Sequence, residues 1–179
     1  MNAAGYRSGM ANDVTHYDAV EAYCDQLSYL PGEAARLHVW CATERYDVDV
    51  HRWGGPVVWR GGGLAGVAHD TPADADSNGC GWPVAVEVPI DAGWTSGVYI
   101  VTLRAHGAAE GRETGHAMFV VRAAPPAAAS GGSRSGRALL VLATNTYNAY
   151  NNWGGRSLYT GGKQVSFDRP FGRGLIVRP

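Results

Sequence analysis

Apolar positions recur at every second residue through much of the chain. In "ARLHVWCA", Leu37, Val39 and Cys41 alternate with Arg36, His38 and Trp40. In "YDVDVHRW", Val48 and Val50 alternate with Asp47, Asp49 and His51, and "PVAVEVPI" repeats the pattern with Val84, Val86 and Val88. "GVYIVTLRAH" and "HAMFVVRA" are rich in β-branched and aromatic residues. A period of two belongs to strands with one face buried and the other wet. Proline and glycine separate the runs, as "LPGE", "GGP", "RGGGLAG" and "DAGWTSG". The pattern predicts a mainly β protein whose residues 15–124 form an immunoglobulin-like antiparallel β-sandwich. In such a sandwich His38 and His51 face water, and His69 and Asp70 lie in a loop. His106 and His116 flank the hairpin turn "GAAEGRETG" and are expected to be solvated turn residues, with a surface pair as the alternative.

The pattern then changes. Residues 125–137, "PPAAASGGSRSGR", hold too little apolar surface to offset the entropy of ordering and are expected to form a flexible linker. "ALLVLA", from Ala138 to Ala143, is a short unbroken apolar run, the signature of a strand buried on both faces in an α/β sheet. "TNTYNAYNNWGG" follows directly and predicts a helix capped by Thr144 or Asn145 and stopped by Gly154 and Gly155. Residues 138–179 are therefore expected to begin an α/β domain. One strand and a few loops cannot form such a domain alone, so the chain is expected to be a fragment, or to borrow its missing sheet from another chain.

Composition adds exclusions. The 179 residues are 45% hydrophobic and 17% charged, with a formal charge of −1. That is a globular balance with no basic face for nucleic acid or anionic membrane. The opening residues lack a signal-peptide core, and no apolar run is long enough to span a bilayer. Cys24, Cys41 and Cys80 are odd in number and widely spaced. Reduced structural thiols in a cytoplasm are expected, with a Cys24–Cys41 bridge as the alternative. No GxSxG elbow, phosphate-cradling loop or cysteine on a strand-to-helix turn is present.

The densest chemistry lies in "NTYNAYNNWGGRSLY", Asn145 to Tyr159, followed by "VSFDRPF". These motifs resemble the large (β) subunit of N,N-dimethylformamidase and its relatives. "YLPGEAARLHVWCATERYDVDVHRWG", "GCGWPVAVEVPI" and "GWTSGVYIVTLRA" extend the resemblance over nearly the whole chain. It implies a β-sandwich followed by a glutamine-amidotransferase-like α/β domain that opens with a buried strand, a tyrosine turn and an "SFDRP" strand. It further implies an amidohydrolase acting on the C–N bond of small linear amides, with one Fe(III) held by two tyrosines and a glutamate. The ligands implied here are Tyr159 and one of Tyr147 and Tyr150. The glutamate has no counterpart in the sequence given, so this polypeptide is expected to be inactive alone. The resemblance also implies a small amide substrate and a small subunit or a second copy as partner.

The residues suit that chemistry. Phenolates are hard oxygen donors that hard cations favour, and a bound cation stabilises the ionised phenol. Asn148, Asn151 and Asn152 are candidates for orienting substrate or water, and the two glycines would bend Tyr159 back toward Tyr147. Asp168 and Arg169 are expected to form a buried ion pair, and Trp153 to be a packing residue. The alternative is a non-catalytic module that binds carbohydrate or protein through exposed Trp53, Trp59, Trp82 and Trp94.

Overall fold

A computed structural model describes residues 16–123 and 139–177. The expected linker at 125–137 lies outside the described residues. The strands run β1 (Val20–Cys24), β2 (Ser28–Tyr29), β3 (Ala34–Cys41), β4 (Arg45–Arg52), β5 (Val57–Ala65), β6 (Val84–Pro89), β7 (Gly97–Ala105) and β8 (Thr114–Val121). A short helix α1 (Ala75–Asn78) interrupts them, and α2 (Thr144–Tyr150) follows them.

The strands form two sheets, one ordered β1-β3-β6 and the other β2-β8-β7-β4-β5. Every pairing is antiparallel except β2 with β8. Alternation decides which side chains go inside. Leu37, Val39 and Cys41 of β3 meet Val48 and Val50 of β4, Val101 and Leu103 of β7, and Phe119 of β8 in one core shared by both sheets. Gly115 sits where β8 passes β1; a Cβ there would stand 2.0 Å from the Val20 carbonyl oxygen, so only glycine permits the approach.

Several expectations need correction here. "RGGGLAG" is no break: most of it lies within β5, at the edge of the larger sheet, where register shifts against β4 absorb the irregularity. Val84 is 44% exposed because the β3–β6 register shifts between Leu37 and His38, turning it out of the core. The outer face of the smaller sheet is not wet. Tyr23 and the partly covered Trp40 join Ala75, Cys80, Trp82 and Trp153 in a second apolar cluster. His38, expected in water, stacks on Tyr23 at 4.7 Å, with Nδ1 2.6 Å from the Trp82 carbonyl. His106 is exposed, as expected of a turn residue, and it pairs with Asp47 of the neighbouring β4 at 2.9 Å instead of the alternative partner His116. Of the four tryptophans proposed as an exposed surface, Trp82 is buried and Trp94 stacks on Tyr99 at 4.9 Å; Trp53 alone among them is largely exposed.

"ALLVLA" is the largest departure. Leu139, Leu140 and Val141 are 66–89% exposed and form no strand. A strand buried on both faces needs hydrogen-bonded neighbours and covering layers, and the described residues supply none at this position. The rest of the tail packs closely. Trp153 covers the smaller sheet, while Leu142, Phe171, Ile176 and Val177 lie against Val98, Ile100 and Met118 on the larger.

Candidate functional site

Helix α2 places Tyr147 and Tyr150 one turn apart, on one face. Its N-cap is Ala143, which offers no side-chain bond, so the expected cap at Thr144 or Asn145 is corrected; both lie inside the first turn. Asn151 leaves the helix in an extended conformation. The chain then reverses through a single turn at Trp153–Gly155. Gly154 and Gly155 take φ values of 82° and 103°, the left-handed region that disfavours a side chain. Gly154 is doubly constrained, since a Cβ would lie 3.3 Å from the Asp76 backbone nitrogen. Beyond the reversal, the Leu158 N–H donates to the Ala149 carbonyl at 3.1 Å. That bond lays Tyr159 against α2, and its ring stacks on Tyr150 with centroids 4.3 Å apart and planes 16° from parallel.

The sequence favoured Tyr147 slightly over Tyr150 as the neighbour of Tyr159; the described fold brings Tyr150 there. The phenols are 37%, 54% and 67% exposed for Tyr147, Tyr150 and Tyr159. The Tyr159 hydroxyl is held above the ordinary phenol range, first by its side-chain hydrogen bond with Tyr150 and then by repulsion from that phenol when charged. Two adjacent phenols thus resist double ionisation in water alone. A hard cation reverses the balance by neutralising both oxygens. Two neighbouring phenol oxygens are donors of the kind that a hard cation favours. Among the described residues, no three His, Cys, Asp or Glu side chains gather as a metal site.

The three asparagines part company. Asn151 is fully committed to the fold: its Nδ2 donates to the Pro170 carbonyl at 2.9 Å, and its Oδ1 accepts from the Trp153 and Gly172 amides at 3.2 and 2.9 Å. Asn148 is buried and Asn152 exposed.

Beneath the phenol pair lies a network that the sequence reading missed. Arg169 is 1% exposed, and its guanidinium donates to the carbonyls of Asn151, Trp153, Arg156 and Ser166 at 2.5–3.1 Å. The expected Asp168–Arg169 pair is absent: Asp168 is exposed, and backbone oxygens take the five-donor fork instead. "SFDRP" is a bend rather than a strand, fixed by the Asp168 amide donating to Ser166 Oγ at 3.0 Å and by the Cys80 amide donating to the Asp168 carbonyl at 2.8 Å. Trp153 is fully buried, as expected of a packing residue, and its Nε1 donates to Glu21 Oε2 at 2.7 Å. Glu21 also accepts from the Tyr17 and Asp18 amides at 2.6 and 3.0 Å, and its Oε2 lies 2.9 Å from His16 Nδ1. Nothing in "VEAYC" separates this acid from an ordinary outward-facing strand residue.

The geometry defines a class: a mainly β protein whose closing segment presents a phenol pair on a glycine reversal. The sequence model of the family described as N,N-dimethylformamidase beta subunit-like, C-terminal, matches residues 45–177. The match runs from β4 through both tyrosines and covers well over half of the chain, so the chain belongs to that family. A search of curated proteins finds no match.

Proposed function

We propose that the chain contributes to an N,N-dimethylformamidase-like hydrolase that cleaves the C–N bond of small amides. The observation that carries this reading is the stacked Tyr150–Tyr159 pair on its double-glycine turn. Tyr150 and Tyr159 would hold Fe(III), with Tyr147 one helical turn away as the alternative to Tyr150. A bound Fe(III) would supply Lewis-acid polarisation of an amide carbonyl and activation of water. Asn152, exposed beside the turn, is the asparagine best free to orient a substrate, while Asn151 holds the turn's shape. A glutamate would complete the ligand set, and a subunit assembly agrees with the family's description. We further propose that the two-sheet unit is an immunoglobulin-like assembly module joined at 125–137 to an α/β catalytic region. Its three free cysteines favour a reducing cytoplasm.

The test is iron content of the whole gene product, read together with its visible phenolate-to-iron absorption. Tyr159→Phe and Tyr150→Phe should each lower occupancy at least fivefold and bleach the band. Full occupancy in both variants would remove the phenol pair from the site. Retention in Tyr150→Phe with loss in Tyr147→Phe would move the ligand by one helical turn.

A further inference from the structure

A cavity of about 270 Å³ lies between the start of β8 and the segment 171–177, and neither Tyr150 nor Tyr159 lines it. Its walls divide by character. Phe171, Ile176 and Val177 supply an apolar side; Glu113, Thr114 and His116 supply a polar one. At the rim Asp18 and Arg173 pair with each other, and Arg173 also donates to the Tyr17 carbonyl at 3.1 Å. Those two charges cancel. His116 has its pKa lowered, first by burial and then by His51 and Arg104, so it is neutral near pH 7. Among the described residues Glu113 has no ion-pair partner, since Arg112 beside it donates to the Tyr17 and His16 carbonyls, and its Oε2 is buried with no hydrogen-bond partner.

A buried carboxylate oxygen without a donor is costly, and such orphans concentrate where a ligand supplies the missing partner. We infer that this cavity binds a small organic cation: an alkylammonium whose head group donates to Glu113 and whose short chain lies on Phe171, Ile176 and Val177. Glu113 is a lining residue whose orphan oxygen is covered in this structure, so binding requires the carboxylate to turn toward the cavity about its own side-chain bonds. The volume is at the small end for ligand pockets, which suits a molecule of a few carbons. A metal ion fits less well, because no three His, Cys, Asp or Glu side chains gather among the described residues. An anion would meet Glu113 with Arg173 already committed to Asp18. The inference is independent of the metal reading.

The test is a titration of the whole chain with n-butylammonium chloride, followed by backbone amide NMR. Resonances of Thr114, His116, Gly172 and Ile176 should shift together and saturate, at an affinity at least tenfold above that for n-butanol. Glu113→Gln, nearly isosteric, should weaken the cation at least tenfold. Ile176→Ala should weaken n-butylammonium more than methylammonium, a split that general loosening of the fold does not produce. The same shifts with sodium chloride, equal binding of butyrate, or an unchanged affinity in Glu113→Gln would each overturn the inference.

Discussion

The Trp153 indole N–H donates to the Glu21 carboxylate at 2.7 Å, joining residues 132 apart in the chain at a site buried on both sides. Glu21 belongs to the first strand and Trp153 to the turn between the two stacked tyrosines. Burying an indole of this size removes enough apolar surface to stabilise docking by about 4–6 kcal/mol before entropy is counted. The hydrogen bond sets the register of that docking. The position of the phenol pair is thus tied to the β core.

Glu21→Gln should cost about 2–3 kcal/mol, since an amide cannot accept from the several donors that now converge on the carboxylate. Trp153→Phe should cost a similar amount. In a double-mutant cycle by urea unfolding, the two should couple by about 1 kcal/mol or more. Simple additivity would mean that the two residues do not act as one contact.

Arg169→Lys is not a conservative change here. Lysine has three donors on one point and cannot reach four carbonyls spread around a planar fork. The expected loss is about 2–4 kcal/mol, with faster hydrogen exchange at the amides of Trp153 and Gly172. A variant as stable as the parent would show that solvent can replace the guanidinium.

Gly154→Ala adds a Cβ at φ 82° and 3.3 Å from the Asp76 nitrogen. Left-handed strain and crowding together should destabilise the protein by about 1–3 kcal/mol. The nuclear Overhauser contacts between the Tyr150 and Tyr159 rings should weaken as well. Gly155→Ala meets no neighbour within 4 Å, so it should cost less.

Alkaline pH should unfold the protein through its buried phenols. Burial, then the nearby Cys41, pushes the Tyr46 hydroxyl up to about 12, and burial raises Tyr23 and Tyr29 as well. A folded-state pKa above the unfolded one favours the protonated phenol in the fold. That stability is complete below about pH 10 and is lost as pH rises toward the folded value. Tyr46 alone should account for about 2 kcal/mol between pH 10 and 12, and Tyr46→Phe should flatten that part of the stability profile. A profile unchanged in Tyr46→Phe would assign the alkaline loss elsewhere.

The alternation of Leu37, Val39 and Cys41, or of Val48 and Val50, fixed strands and inner faces from residue order alone, because a strand's two faces repeat every second residue. The two glycines after Trp153 announced a reversal for the same local reason: few other residues adopt that backbone. The outer faces were another matter. His38 and Glu21 occupy positions that alternation assigns to water, and only the arrival of α1 and the tail in three dimensions buried Glu21 and partly covered His38. "ALLVLA" shows the converse, since apolar composition offers a strand but cannot provide the neighbours that make one. The pairing of Tyr150 rather than Tyr147 with Tyr159 was decided by one backbone bond, Leu158 to Ala149, and by the surface on which Trp153 rests. Local periodicity depends on adjacent residues alone, whereas these partnerships depend on distances between segments far apart in the chain, which only the folded structure sets.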